Sequence, residues 1–230
     1  MTVSIVDYLI VGISEAFRLS KPYMTGYVDA GSRVHVAGTI SSAAFASGDR
    51  FVVGHWPESP IGPMGDVMWA DPQGCRTLLA PTAAIADFIT RIYDFDEVRV
   101  ESVNVRSDGR TTTANGQALD LQLVGGRRWP IPIRRPLAIT RFIEAPIART
   151  TMGVRTFGTS QKGAREWYQS NGWRWVSTGS ASLEGRDLGP LVPFDDPMGV
   201  GFSEPPRRPS IVGVRVTIDL PDTDLPDTDL

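Results

Sequence analysis

Short segments in which apolar and polar residues alternate recur along this chain, and turn signals separate them. In the clearest one, Leu119, Leu121 and Leu123 alternate with Asp120 and Gln122. A period of two places apolar side chains on one face of a β-strand and polar side chains on the other. A sheet with one solvated face is typical of antiparallel pairing. The pattern therefore predicts an antiparallel sheet.

Residues 97–133 extend this pattern into a meander, because three turn-forming dipeptides have the spacing that short strands require. These dipeptides are Asp108-Gly109, Asn115-Gly116 and Gly125-Gly126. Further strands are predicted from alternation or from apolar runs bounded by turns, at 33–38, 51–56, 66–70, 75–80 and 211–219. The segment 57–65 contains three prolines and two glycines, a composition that predicts a stiff loop.

Three segments carry helix signals. The strongest is 82–93, where apolar residues occur at i, i+3, i+4, i+7 and i+8 from Ile85 and form one continuous stripe. A similar stripe predicts an N-terminal helix at about 4–19. Pro136 is suited to a first helical turn and predicts another helix at about 136–145.

Together these elements predict an α+β fold. We expect a curled antiparallel sheet, barrel-like or half-open, with two or three helices, one of them packed on the concave face. Residues 1–220 are interpreted as a single domain. Residues 221–230 belong to a pentamer repeat of Leu, Pro, Asp and Thr that cannot bury a core, so a disordered acidic tail is predicted.

The charge distribution argues against nucleic-acid and membrane partners. The chain carries a formal net charge of −3, and residues 221–230 hold four aspartates and no basic residue, which leaves the body at +1. A nearly neutral body provides little attraction for polyanions. The N-terminal apolar stretch is too short to span a bilayer and lacks the basic residues of a signal peptide, so we expect a cytoplasmic protein.

Common cofactor and metal motifs are incomplete. Gly158 and Gly163 have the spacing of a phosphate-binding loop, but Ala164 occupies the lysine position. A glycine pair at 199 and 201 begins a dinucleotide fingerprint, yet Glu204 replaces its third glycine. Cys75 is the single cysteine, which excludes internal disulfides and multi-cysteine metal sites. We therefore predict no cofactor and no metal.

Residues 165–178 are predicted to form a β-hairpin, since Asn171-Gly172 is a type I′ turn signature between two strand-like segments. Such a turn places an aromatic wall on one face of the hairpin, with Glu166 at its end. The wall consists of Tyr168, Trp173 and Trp175.

Ordinary core packing is the first interpretation of this wall, and the lining of a ligand cavity is the alternative on which the functional hypothesis is built. The loop 57–65 forms the expected rim. Arg155 is a candidate counter-ion for Glu166 or for an acidic ligand. The candidate ligand-binding residues are Trp56, Arg155, Tyr168, Trp173 and Trp175.

The leading functional hypothesis is binding of a small apolar or aromatic molecule in a β-sheet cavity. A second hypothesis is an enzyme using acid–base chemistry in the same pocket, with His55, Asp66 and Glu166 as candidate catalytic residues. That hypothesis requires one of the three to lie within hydrogen-bond reach of another. A homodimeric interaction module with exposed tryptophans is a third alternative.

Overall fold

A computed structural model describes residues 28–130 and 156–222, and within these ranges the chain is mainly β. Strands account for 55% of the described residues and helix for 5%. The predicted α+β class is therefore wrong. The predicted helices at 4–19 and 136–145 and the tail beyond residue 222 lie outside the described residues, so those three predictions stay untested.

Fourteen strands and one helix make up the described chain. The strands are β1 (Arg33–Phe45), β2 (Arg50–Glu58), β3 (Met64–Ala70), β4 (Arg76–Ala80), β5 (Glu97–Val100), β6 (Val103–Ser107), β7 (Thr111–Gly116), β8 (Leu119–Gly125), β9 (Trp129–Pro130), β10 (Phe157–Thr159), β11 (Arg165–Leu183), β12 (Arg186–Asp187), β13 (Leu191–Val192) and β14 (Ser210–Asp219). The helix, α1, comprises Ala83–Thr90.

The strands form one mixed sheet whose main path runs β5-β4-β3-β2-β1-β14-β11-β8-β7-β6. The sheet is not closed, so the barrel-like form of the prediction is also wrong. Its second half instead folds back over the first. A hydrogen bond of 2.7 Å joins Ser41 of β1 to Thr112 of β7, and Val105 of β6 lies directly over Gly65 of β3.

The sheet packs on two apolar cores, one on each face of β1–β4. The first core lies between these strands and β6–β8, with Phe51, Val67 and Leu121 fully buried there. The second core lies on the opposite face, where α1 and a segment near Met198 cover the sheet. Because both faces are covered, β1 has few exposed positions beyond its first residues.

The helix predicted at 82–93 is confirmed, with a slightly earlier end. Thr82 caps it by accepting the backbone N–H of Ile85 at 3.3 Å. The helix connects β4 to β5, which pair in parallel, and a parallel pair requires a crossover of this kind. It therefore lies over β3–β5 at one side of the sheet and leaves the centre of that face uncovered. No described helix has the length and apolarity needed to cross a membrane.

The predicted hairpin at Asn171-Gly172 is wrong. The structure shows β11 as one continuous strand of 19 residues through this dipeptide. Strand β14 pairs with it along ten positions, and the register shifts between Ser170 and Gly172. Asn171 is thus the extra residue of a β-bulge, and Gly172 has a φ of 145°, a conformation that favours glycine. The long ladder with β14 replaces the short ladder that a hairpin would form.

Candidate functional site

A cavity of about 390 Å³ lies between one face of the sheet and the chain that covers it. Strands β3, β2, β1, β14 and β11 form its floor. The roof consists of α1, the turn that follows it, and the segment 198–206. Most of the wall is apolar, and its aliphatic part includes Val36, Ile40, Val52, Met68, Ile92 and Val214.

Asp66 of β3 is a charged side chain in this apolar wall, and it is only 1% exposed. The indole Nε1–H of Trp56 donates to Asp66 Oδ1 at 2.9 Å. Gly54 lies opposite Asp66 on β2. A Cβ at position 54 would lie 2.3 Å from Trp56 Nε1 and 2.4 Å from Asp66 Oδ1. The hydrogen bond therefore depends on a glycine at this position.

Burial raises the pKa of Asp66 to about 7, while the hydrogen bond from Trp56 acts in the opposite direction. Desolvation of the carboxylate is the larger of the two effects because the surroundings are apolar. Asp66 is consequently able to take up or release a proton near neutral pH.

A second carboxyl group, Glu166 of β11, is fully buried beside two cavity-lining tyrosines. The hydroxyl oxygens of Tyr93 and Tyr168 lie 2.6 Å and 2.8 Å from Glu166 Oε2. The two hydroxyl oxygens are also 2.5 Å apart. Glu166 Oε1 is buried and has no hydrogen-bond partner among the described residues.

The protonation state of this triangle follows from counting its hydrogens. Three mutual oxygen contacts need three protons, and the phenols of Tyr93 and Tyr168 supply two. A protonated Glu166 supplies the third. Burial raises the pKa of Glu166 to about 7, against the opposing effect of the two tyrosine hydrogen bonds. Burial also raises the pKa of both tyrosines well above the usual value, so the phenols keep their protons.

Polar contacts stabilise the start of the roof segment 198–206. Glu204 accepts the backbone N–H groups of Met198 and Gly199 at 2.6 Å and 3.0 Å. Arg76 of β4 donates to the carbonyl oxygen of Gly199 at 3.0 Å. The Glu204 contacts therefore fold the segment on itself, and the Arg76 contact joins it to β4.

No protein-family model and no curated protein matches this chain. What the cavity does is therefore inferred from its own geometry and chemistry.

The structure brings several of the residues selected from sequence to this one cavity. The lining includes Trp56, Asp66, Tyr168 and Trp173, and Glu166 contacts the cavity through the tyrosines.

The bulge in β11 explains why residues on both sides of Asn171-Gly172 share a face. One extra residue reverses the alternation of side chains, as the predicted two-residue turn would also have done.

His55 does not belong to this group. It pairs with Gly65, and a Cβ at Gly65 would lie 2.6 Å from Val105 Cβ on the other face of the sheet. His55 therefore points away from Asp66 and Glu166, and burial lowers its pKa. Among the described residues no hydrogen bond joins any two of these three side chains. The direct pairing that the enzyme hypothesis requires is not found.

Trp175, Trp173 and Arg155 are the other ligand-binding candidates selected from sequence. Trp175 does not line the cavity, and the guanidinium of Arg208 lies 5.4 Å from the centre of its ring. Trp173 stacks on Trp129 with ring centres 6.3 Å apart, and its indole Nε1 is buried without a described partner. Arg155 lies outside the described residues.

Sequence reasoning missed the roles of Tyr93 and Glu204. Tyr93 ends the apolar stripe of the helical segment, and that periodicity indicates a buried face without a role for the phenol. Its contact with Glu166 joins residues 73 positions apart, which no local pattern predicts. The one available signal is that a phenol occurs in an otherwise aliphatic and phenylalanine stripe.

Proposed function

We propose that this protein binds a small, mostly apolar molecule in the cavity between the sheet and α1. The observation that carries the proposal is an apolar space of about 390 Å³ with a few polar groups at defined places. Ligand-binding pockets span about 300–1,000 Å³ and have walls of this composition. Ordinary interiors are packed without voids of this size, so packing among the described residues does not account for the space.

The shape of the fold supports the same proposal. Helix α1 covers only β3–β5, and the roof segment, which Glu204 folds on itself and Arg76 joins to β4, lines the space instead of filling it. The floor beneath it is apolar at Val36, Val214 and Val216. A water-filled space with such a floor is unfavourable, and an apolar occupant removes that cost.

Native mass spectrometry of the protein as purified from cells tests whether a molecule is retained. We expect a mass excess that disappears on denaturation. Weaker binding is measured with N-phenyl-1-naphthylamine, a neutral fluorescent probe whose emission increases in apolar surroundings. Absence of both a retained molecule and saturable probe binding would contradict the proposal.

A substitution that fills the cavity tests whether the probe binds there. Val214 is 4% exposed at the centre of the floor, so Val214→Phe should place a ring in the ligand's space. We expect at least a tenfold loss of probe affinity, roughly the effect of removing the volume the ligand occupies. The control is Val98→Phe on edge strand β5, where Val98 is 44% exposed. Equal probe binding by the two variants would argue against this cavity.

A second candidate function, acid–base catalysis, is favoured by one observation. Asp66 and Glu166 both have a pKa raised to about 7, which is the range suited to proton transfer at neutral pH. In this hypothesis Asp66 acts on a bound molecule directly, and Glu166, which does not line the cavity, acts through the hydroxyl groups of Tyr93 and Tyr168.

This hypothesis is tested by comparing the molecules retained by the wild type and by Asp66→Asn. An enzyme is expected to retain product, whereas the variant retains unreacted substrate with a different mass. Identical retained molecules, unchanged after prolonged incubation, indicate binding without chemistry.

A further inference from the structure

The second carboxyl oxygen of Asp66, Oδ2, indicates which kind of ligand the cavity fits. Trp56 donates to Oδ1, and the structure provides no hydrogen-bond donor for Oδ2 among the described residues. The carboxyl group is 1% exposed to solvent and lines the cavity. A buried carboxyl oxygen without a donor is costly, so a bound molecule that supplies one is stabilised there.

The described wall contains no cation to pair with Asp66, because none of its lining residues is lysine, arginine or histidine. The other acidic group of the wall, Glu204, already accepts two backbone N–H groups of the roof segment. Asp66 is thus the acidic group left for a ligand.

Two neighbouring hydroxyl groups also present acceptors towards the cavity. The hydroxyl hydrogens of Tyr93 and Tyr168 are used within the triangle with Glu166, which leaves oxygen lone pairs for a ligand. Ser42 and Ser210 lie 3.3 Å apart and hydrogen-bond to each other. The serine pair keeps one hydroxyl hydrogen, and the indole Nε1–H of Trp173 is a further donor on the wall. The acceptors matched to a ligand that donates hydrogen bonds are therefore Asp66 and the two tyrosine oxygens.

Aromatic rings complete the surroundings of Asp66. Trp56 lies beside it, and the rings of Tyr168 and Phe202 are 5.8 Å apart on the same cavity. The faces of such rings attract cations as well as apolar groups. A molecule with an apolar body and one positively charged nitrogen fits both features.

We propose that the ligand is an apolar amine whose ammonium group pairs with Asp66 while its hydrocarbon body occupies the aliphatic part of the cavity. This inference rests on the proposed binding function. A carboxylate ligand would place two like charges in the same apolar space, where their repulsion is poorly screened. A neutral alcohol would make one uncharged hydrogen bond, which is weaker than a charge-assisted one.

Three probes with one ring system and different head groups test the charge preference on the wild-type protein. They are 1-naphthylmethylamine, 1-naphthalenemethanol and 1-naphthoate, each measured at pH 7.5 by displacement of N-phenyl-1-naphthylamine. We expect the amine to bind about tenfold or more tightly than the alcohol, and the naphthoate most weakly. Because the ring is shared, the ratio of amine to alcohol affinity reports only the head group.

The variant Asp66→Asn should bring this ratio close to one, and Asp66→Ser serves as a second variant if the first does not fold. If the wild type binds amine and alcohol equally, or if the variants keep the same ratio of amine to alcohol affinity, the amine inference is wrong. The proposed binding function is not affected by either result. Preference for naphthoate would also overturn the amine inference and would indicate a cation in the wall. If none of the four naphthyl compounds binds, the proposed function itself fails.

Discussion

Deletion of Asn171 should abolish cooperative folding. Asn171 is the extra residue at the register shift in β11, and its removal moves one half of that strand by one position. A one-residue shift transfers every side chain of the affected half to the opposite face. Either Glu166 and Tyr168 leave the cavity, or Trp173 enters the core on the other face. The expected cost is on the order of the whole stability, about 5–15 kcal/mol.

The measurement is urea denaturation followed by far- and near-ultraviolet circular dichroism. Asn171→Ser is the control, because it keeps the residue count and the bulge while removing the amide. We expect the serine variant to unfold cooperatively and the deletion variant to lack a fixed near-ultraviolet signal. A deletion variant with native-like stability would show that β11 does not need the bulge and that the described register is incorrect.

The free energy of unfolding should fall as the pH rises from about 4.5 to 7. Burial raises the pKa of Glu166 from 4.5 to about 7. The folded protein therefore holds a proton that the unfolded chain has released. In that interval each such group lowers stability by about 1.4 kcal/mol per pH unit, and the loss ends above the folded-state pKa. Asp66 contributes in the same direction, since its pKa rises from 3.8 to about 7.

Glu166→Gln isolates one of these contributions. Glutamine is neutral at every pH, so relative to the wild type the variant should gain roughly 3 kcal/mol of stability between pH 4.5 and pH 7. The lowered pKa of His55 has the opposite effect on stability, which rises with pH up to the ordinary histidine pKa of 6.5. His55 is present in both proteins, so this effect cancels when their stabilities are compared. The control is Glu58→Gln at an exposed glutamate. Urea midpoints at pH 5, 6, 7 and 8 provide the comparison, and parallel curves would contradict a buried, protonated Glu166.

Local patterns located most of the described secondary structure. The alternation at 119–123 and 211–219 corresponds to β8 and β14, and the apolar stripe at 82–93 to α1 and the turn after it. The turn at Asp108-Gly109 correctly separates β6 from β7. These features depend on neighbouring residues only, so a sequence pattern is sufficient to predict them.

Strand pairing was harder to predict from the sequence than the strands themselves. The predicted hairpin used the pairing nearest in sequence, whereas the structure pairs β11 with β14 and β1 with β14. Both partnerships join segments separated by tens to hundreds of residues. The α+β class was expected because three segments carry helix signals, and only α1 of these lies within the described residues. Within those residues strands predominate, and β11 continues through an apparent turn signal because β14 and its other neighbours hold it extended.

The candidate site was also predicted only in part: the sequence indicated several of its residues but not their contacts. Sequence reasoning selected Trp56, Asp66, Tyr168 and Glu166 from their chemistry, and the structure places them around one cavity or in contact with it. It did not predict that Tyr93 would complete the triangle with Glu166. His55 was included as a possible base beside the predicted rim loop 57–65, yet strand alternation and pairing direct it to the face opposite Asp66.

By itself, the sequence determined which segments are strands or helix and which chemical groups are available for a site. Its periodicity specifies the buried face of each element, because burial of apolar area is the main favourable contribution to folding. Only the tertiary structure decided what each face is buried against. The insertion of β14 between β1 and β11, the fold-back of β6–β8 and the partial cover by α1 leave one face open as a cavity. Contacts between distant segments set that outcome, and periodicity carries no information about the identity of a distant partner.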